Sequence, residues 1–187
     1  MLPRGWHINQ AVRALHAEGV IAYPTEAVWG VGCDPFSESA FKRLLQLKQR
    51  PSDKGVILIG GCADHFSFLL DPLDDQAKSK ILTATQTPTT WLVPDPEHRV
   101  PEWIRGKYTQ VAIRVSDHLL VRSLCDKFGG PIVSTSANPA GKPPARSALR
   151  IRQYFSNELD YILPGALGGH ARPSRIIDLQ TGRILRA

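Results

Sequence analysis

Hydrophobic positions along the chain switch between helical spacing and short continuous runs, which predicts helices interleaved with strands. The clearest helical pattern covers 8–18, where Ile8, Ala11, Val12 and Leu15 share one face. Ser37 is placed to cap a helix that runs to Lys48, and Asp117 to cap one ending near Gly129. The other predicted helices are 63–70, 73–83 and 147–155. The predicted strands are 20–23, 56–59, 90–93, 111–115, 132–134, 161–163, 176–179 and 184–185, and 24–35 is predicted as a loop.

This order of elements predicts an α/β fold, a twisted sheet flanked by helices. Several consecutive strands have no helix between them, so the sheet should mix parallel and antiparallel pairs. The chain has 187 residues, of which 42% are hydrophobic, with no repeat and no long linker. We therefore expect a single domain over residues 1–187.

The apolar runs are far too short to span a bilayer, and the first residues lack the pattern of a signal peptide. A cytoplasmic protein with no membrane partner is expected. Cys33, Cys62 and Cys125 are widely separated and form no CxxC pair, so we expect neither disulfides nor protein ligands for a metal. Cys33 lies in a glycine-rich segment, and a nucleophilic role is a minor alternative to a small buried side chain.

The positive charge of the chain is concentrated in its last quarter. The net charge is +6, and from Lys142 onward eight basic residues outnumber three acidic ones. The eight are Lys142, Arg146, Arg150, Arg152, Arg172, Arg175, Arg183 and Arg186, against Glu158, Asp160 and Asp178. This surplus suits a nucleotide, pyrophosphate or RNA, although a solvated basic surface gives the same pattern.

Two common phosphate-binding motifs are absent. The Walker A pattern fails because Pro143 follows Gly141-Lys142 and Ser136 replaces the first glycine. The dinucleotide pattern GxGxxG, approached by the segment that starts at Gly30, ends in Pro35 instead of glycine. ATP, if bound, must be held in another way.

Four segments combine turn residues with polar or basic side chains at predicted element ends, where α/β proteins bind ligands. They are 23–34, 48–55, 134–141 and 173–178. Each alone could be an ordinary turn or a helix end with a matching charge. In this order they resemble the YrdC/Sua5 family in its short single-domain form. The resemblance rests on YPTE-x-V-W-G-V-G-C-D at 23–34, KxRP at 48–51, VAIR at 111–114 and SxSAN at 134–138, and it covers about 8–186.

The resemblance implies a YrdC-like (DHBP-synthase-like) fold with a concave basic cavity. It also implies a nucleotidyltransferase that converts L-threonine, bicarbonate and ATP into L-threonylcarbamoyladenylate, diphosphate and water. Mg²⁺ would enter with ATP, with no tightly bound organic cofactor. The product would serve N6-threonylcarbamoyladenosine formation in tRNAs reading ANN codons, through a separate threonylcarbamoyl-transferase complex. Weak binding of tRNA or double-stranded RNA is a further possibility.

The resemblance also assigns site residues. A catalytic tetrad maps onto Lys48, Arg50, Ser136 and Asn138. Its two cations would meet the triphosphate, and its two neutral side chains would hydrogen-bond the nucleotide or carbamate. No protein nucleophile is required, because positioning and charge neutralisation suffice. The nucleotide set is Lys48, Arg50, Ser52, Thr90, Asn138, Arg146 and Arg186, and the threonine set is Thr25, Arg114, Ser136 and Ser174.

One segment departs from the family pattern. Where the family has Trp-Pro-Gly-Pro-x-Thr, this chain has Thr85-Gln86-Thr87-Pro88-Thr89-Thr90. The resemblance therefore does not determine the shape of this loop or whether Thr90 contacts the nucleotide.

Two other functions compete with the synthase. An RNA-binding or ribosome-maturation module could use the same basic cavity, but aromatics make up only 7% of the chain, and RNA readers usually interleave them with basic residues. An enzyme that adenylates or carbamoylates a different acceptor ranks third. Phosphate-mediated RNA binding should weaken steeply with salt, unlike a buried ATP site.

Overall fold

A twisted sheet forms the centre of the computed structural model, which describes residues 5–51, 53–83 and 87–187. Among these residues nine strands pair in the order β7-β1-β2-β6-β3-β5-β4-β8-β9. The strands are β1 (Ile21–Pro24), β2 (Trp29–Gly32), β3 (Ile57–Gly60), β4 (Thr89–Pro94), β5 (Gln110–Val115), β6 (Ile132–Ser136), β7 (Tyr161–Ile162), β8 (Arg175–Asp178) and β9 (Ile184–Arg186).

Strand directions are mixed, as predicted. The pairs β1–β7, β3–β5 and β4–β8 are parallel, and the remaining neighbours are antiparallel. Strand β6 lies between β2 and β3 and is antiparallel to both. Its carboxyl end, from which the 134–141 segment continues, therefore lies beside the start of β2 and the start of β3.

Helices cover parts of both faces of the sheet. They are α1 (Gly5–His16), α2 (Glu38–Lys48), α3 (Ser67–Leu70), α4 (Asp75–Leu82), α5 (Glu102–Arg105), α6 (Leu119–Phe128) and α7 (Ala148–Phe155), with a 3-10 turn at Asp64–Phe66. No helix among the described residues is long and apolar enough to cross a membrane.

Side-chain alternation along the strands divides the apolar interior into two clusters. Ile59 of β3 and Ile132 of β6 pack in one cluster with α1 and α6. Leu58 and Val133, one position along, pack in the other cluster with residues of α2 and α7. Because successive strand residues point to opposite faces, the sheet is covered on both sides here.

Capping residues explain several helix boundaries. The Ser37 side chain accepts a hydrogen bond from the Ala40 amide at 3.2 Å, which confirms the predicted cap of α2. The prediction for Asp117 is wrong, since α6 has His118 at its N-cap position without a side-chain cap bond. The Ser116 hydroxyl accepts the His118 amide instead, at 3.2 Å, so the chain turns one residue later than expected.

The segment 24–35 is not a continuous loop, because it contains β2. Its glycines resemble loop residues in the sequence, yet they serve close packing inside the sheet. A Cβ at Gly32 would lie 1.8 Å from the Val133 carbonyl oxygen, so only glycine fits between β2 and β6 there. The sequence also gave no sign of the short helix α5.

Candidate active site

A cavity of about 490 Å³ opens on the part of the sheet that α1 and α6 leave uncovered. On β6, Ile132 lies beneath these helices, whereas Ser134 and Ser136, on the same strand face, line the cavity. On β5, Ala112 and Arg114 line it. One continuous sheet face therefore changes from apolar core to polar cavity wall.

Six of the predicted site residues line this cavity although they are far apart in sequence. They are Thr25, Arg50, Arg114, Ser136, Ser174 and Arg186. Four predicted residues do not line it, namely Lys48, Thr90, Asn138 and Arg146. Ser52, Thr85 and Gln86 lie outside the described residues.

The hairpin from β1 to β2 holds Thr25 in place. Thr25 Oγ1 donates to the Val28 carbonyl at 2.7 Å, and the Thr25 amide donates to the same oxygen at 3.2 Å. The Thr25 carbonyl in turn accepts from the Gly168 amide at 3.0 Å. These bonds tie the loop of the hairpin to the chain near residue 168, so the Thr25 side chain is buried and fixed at the cavity wall.

Arg114 is the most deeply buried cation of the cavity. Its side chain forms an ion pair with Glu26, whose other carboxylate oxygen accepts from the Ser116 hydroxyl at 2.7 Å. Burial lowers the pKa of Arg114 to about 10, so the guanidinium is charged at neutral pH. Its Nε is buried without a hydrogen-bond partner among the described residues. A ligand carboxylate could supply that partner.

Arg50 follows the end of α2, after Gln49 in a left-handed conformation (φ 52°). Its guanidinium donates to the Gly55 carbonyl at 2.9 Å, and its buried Nε has no partner among the described residues. The described chain offers it no carboxylate within 4 Å. Burial lowers the pKa of Arg50, in keeping with a cation that protein charges compensate only partly.

Lys48 is buried behind the cavity wall. Its ammonium donates to the Ser136 carbonyl and, at 2.9 Å, to the Asn138 carbonyl. Burial first, and the neighbouring charge of Arg50 second, lower the pKa of Lys48 to about 8.

Asn138 faces the loop that follows β6. Its amide nitrogen donates to the carbonyls of Pro139 and Lys142, at 3.0 and 2.8 Å. Its Oδ1 is buried without a partner among the residues described. Arg146, further along the chain, has an exposed side chain.

Ser174 joins two other predicted residues at the opposite wall. Its hydroxyl lies 2.8 Å from Oγ1 of the fully buried Thr90, and its carbonyl accepts from Nε and Nη2 of Arg186 at 3.0 and 2.6 Å. Thr90 thus supports Ser174 from behind, while Arg186 folds across it. Burial lowers the pKa of Arg186.

The cavity wall carries positive charge. Arg50, Arg105, Arg114 and Arg186 line it, and no described lining residue is acidic. A wall of this kind favours an anion with several charges. The sequence did not reveal Arg105 and Tyr108, because Arg105 ends the unexpected helix α5 and Tyr108 follows it. Glu26, which partners Arg114, was visible beside Thr25 in the first motif, but its role required knowing that the loop between β1 and β2 meets β5.

The cysteines do not take part in this cavity. Burial raises the pKa of the Cys33 thiol, so it stays protonated at neutral pH, which argues against the nucleophile alternative. Cys62, His65 and Asp126 cluster elsewhere. There the Gly61 amide donates to His65 Nδ1 at 2.9 Å, which leaves the ring proton on Nε2, 3.2 Å from Asp126. That arrangement is a hydrogen-bonded pair rather than a prepared metal site.

Comparison with known proteins gives one consistent result. The Sua5/YciO/YrdC family model, described as "Telomere recombination", matches residues 13–187. A threonylcarbamoyl-AMP synthase of Marinobacter nauticus is 55% identical over 170 residues, 91% of this chain and 90% of that protein. Another, from Stutzerimonas stutzeri, is 54% identical over 181 residues, 97% of each chain.

A solved structure agrees with the sequence relatives. P. abyssi Sua5 complexed with L-threonine superposes with a TM-score of 0.81 at 28% identity, over 95% of this chain and 52% of that one. This chain thus spans about half the length of that Sua5 protein. The sequence motifs, the fold and these relatives together place the chain in the Sua5/YciO/YrdC family.

Proposed function

We propose that this protein is a nucleotidyltransferase that makes L-threonylcarbamoyladenylate and diphosphate from L-threonine, bicarbonate and ATP. The observation that carries the proposal is the convergence of six predicted site residues on one arginine-lined cavity. Relatives that match nearly the whole chain bear the name of this activity. The competing RNA-binding module gives no reason for neutral hydroxyls and a buried, acid-paired arginine inside a cavity.

The two substrates share the cavity in this proposal, and their sites adjoin where Arg186 contacts Ser174. Arg114 receives the threonine carboxylate, with the unpaired Nε completing the contact, and Thr25 and Ser174 bind the rest of the amino acid. Arg50 contacts the triphosphate, and Arg186 lies on the nucleotide side. Mg²⁺ arrives with ATP as part of the substrate and takes its ligands from phosphate oxygens, since the described lining offers no carboxylate.

The chemistry then needs positioning rather than a protein nucleophile. The threonine amine forms a bond to the carbon of bicarbonate or CO₂, with loss of water from bicarbonate. An oxygen of the resulting carbamate attacks the α-phosphorus of ATP, and pyrophosphate leaves. Arg50 stabilises the negative charge that builds on the phosphates, and Ser136 donates a hydrogen bond at the junction of the two substrates.

The product is a mixed anhydride, which calls for a downstream acceptor. We place the reaction in the cytoplasm, before a separate threonylcarbamoyl-transferase complex that modifies adenosine in tRNAs reading ANN codons. Direct binding of tRNA or double-stranded RNA by this chain would be weak and sensitive to salt.

The test is pyrophosphate release by the purified protein with ATP, Mg²⁺, bicarbonate and L-threonine, omitting each in turn. Release should require both threonine and bicarbonate, and L-serine should be a poorer substrate. Arg50→Ala should reduce release at least 10-fold, whereas Arg13→Ala, an exposed arginine on α1, should leave it unchanged. Well-folded protein without threonine-dependent release would refute the proposal.

A further inference from the structure

The four tetrad residues occupy two different positions relative to the cavity. Arg50 and Ser136 line it, whereas Lys48 and Asn138 lie behind the wall and bond to main-chain atoms. The sequence pattern treats the four as one group, but the contacts divide them into two pairs.

Lys48 makes three hydrogen bonds to the segment 136–142, which we call the 136–142 loop. Its ammonium donates to the carbonyls of Ser136 and Asn138, and its own carbonyl accepts from the Ala140 amide at 2.9 Å. The end of α2 is thereby joined to the loop through both the side chain and the main chain. An ammonium that is used in this way, and is buried, has little freedom to reach a phosphate.

Asn138 completes the same structure from inside the loop. Its amide nitrogen bridges the carbonyls of Pro139 and Lys142, which closes the turn after β6. The Ala145 amide donates to the Ala137 carbonyl at 3.0 Å and holds the far end of the turn. Ser136 therefore stands at the start of a loop that is fixed at several points.

We propose that Lys48 and Asn138 are positioning residues, which hold the 136–142 loop so that Ser136 faces the cavity, while Arg50 alone of the two tetrad cations contacts the triphosphate. The part about ligands rests on the proposed function, but the part about the loop does not. A positioning role depends on donor geometry rather than charge, because a neutral amine still has two N–H donors for the two carbonyls.

Three variants separate positioning from phosphate contact. Lys48→Met keeps the aliphatic stem and removes the donors, and Lys48→Arg keeps the charge but replaces the buried ammonium with a larger, planar guanidinium. Lys142→Met is the matched control, an exposed lysine of the same loop whose carbonyl contact is unaffected. Hydrogen exchange of peptides over the loop is measured together with calorimetric titration of L-threonine and, separately, of ATP.

Positioning predicts faster exchange in the 136–142 loop for both Lys48 variants and no change for Lys142→Met or Arg50→Ala. It also predicts about a 10-fold loss of L-threonine affinity in both Lys48 variants, as expected for one charged-donor hydrogen bond. Threonine has no phosphate, so this loss cannot come from a phosphate contact. ATP affinity falls in Arg50→Ala, whereas its threonine affinity stays within about 2-fold of the parent.

The opposite pattern overturns the proposal: unchanged loop exchange, unchanged threonine affinity, and a loss of ATP affinity that Lys48→Arg restores. If Lys48→Met does not fold, Asn138→Ala must give the same local increase in exchange, and failure to do so also overturns it. A parent protein that binds no threonine would refute the proposed function, yet loop exchange would still decide the role of Lys48.

Discussion

Two arginines reach the same cavity with opposite electrostatic surroundings. Arg114 is held by the carboxylate of Glu26, which Ser116 also contacts, deep inside the sheet. Arg50 is held by main-chain carbonyls, has no described carboxylate within 4 Å, and lies close enough to Lys48 to lower its pKa. One wall therefore offers a nearly neutralised cation, and the other offers a cation that protein charges neutralise only partly.

This difference matches the two ligands that the proposed reaction must hold. A neutralised arginine gives directional hydrogen bonds to a single carboxylate without attracting every anion equally. A partly compensated one attracts a polyphosphate strongly, because no protein carboxylate pairs with it directly. The contrast predicts that Arg114 matters to both folding and threonine binding, and Arg50 chiefly to ATP.

The largest effect is expected for Arg114→Ala. Removing one partner of a buried ion pair leaves Glu26 uncompensated, so the free energy of unfolding should fall by about 3–5 kcal/mol. Urea denaturation measures this loss. The double variant Arg114→Met with Glu26→Gln should recover most of it, because no buried charge remains. A single Arg114→Ala variant as stable as its parent would contradict the buried pair.

Arg50→Ala should change stability much less, by under about 1 kcal/mol, because its partners are main-chain carbonyls in the turn before β3. The affinity for pyrophosphate should fall roughly 10- to 100-fold, the value of a hydrogen bond to a charged group. Competition against a fluorescent ATP analogue gives this affinity. Equal destabilisation by the Arg50 and Arg114 substitutions would remove the contrast between the two walls.

Ser116→Ala sharpens the contrast with a smaller change. It removes the hydrogen bond to Glu26 and the one accepted from the His118 amide, and it should lower stability by about 1–2 kcal/mol. The KM for threonine should rise while the KM for ATP stays constant, since Glu26 orients only Arg114. Steady-state kinetics with each substrate varied in turn would show this; a matching rise in the KM for ATP would count against it.

A further effect concerns pH on the Arg50 side. The folded pKa of Lys48, about 8, lies below its ordinary value of 10.5, so the unfolded chain binds more protons between these values. Stability contributed by Lys48 therefore rises with pH across that window. Denaturation at pH 7 and 9.5 should show that the free energy of unfolding of the parent, relative to that of Lys48→Met, is larger at pH 9.5. Taking the difference between the two proteins cancels the titration of their other groups. A difference independent of pH would mean that Lys48 keeps its ordinary pKa.

The sequence predicted the mixed sheet because apolar runs and helical spacing can each be recognised within one short segment of the chain. It also predicted the cap at Ser37, which depends on residues three apart. It missed β2, since Gly32 looks like a turn residue until Val133 on a distant strand is placed against it. Local sequence patterns predict local structure, whereas β2 can be recognised only from its pairing with a distant strand.

The site residues, too, could be predicted from local motifs, but not their contacts with distant parts of the chain. The order of the motifs predicted residues that line the cavity, such as Thr25 and Arg50, because these side chains lie in recognisable segments of the sequence. It could not separate Lys48 from Arg50, two residues apart, because the direction of each side chain depends on the left-handed turn at Gln49. Nor could it pair Glu26 with Arg114, which lie 88 positions apart.

Strand β9 has a practical consequence for anyone who extends this polypeptide. Leu185 and Arg186 both line the cavity, and β9 is the outermost strand of the sheet on that side. Any sequence fused after Ala187, whether a purification tag or another folded unit, starts one residue from the cavity wall. A flexible fusion of about ten residues would reach roughly 15–20 Å and could sweep across the opening. Fusions should therefore carry a protease site, and turnover should be compared before and after cleavage.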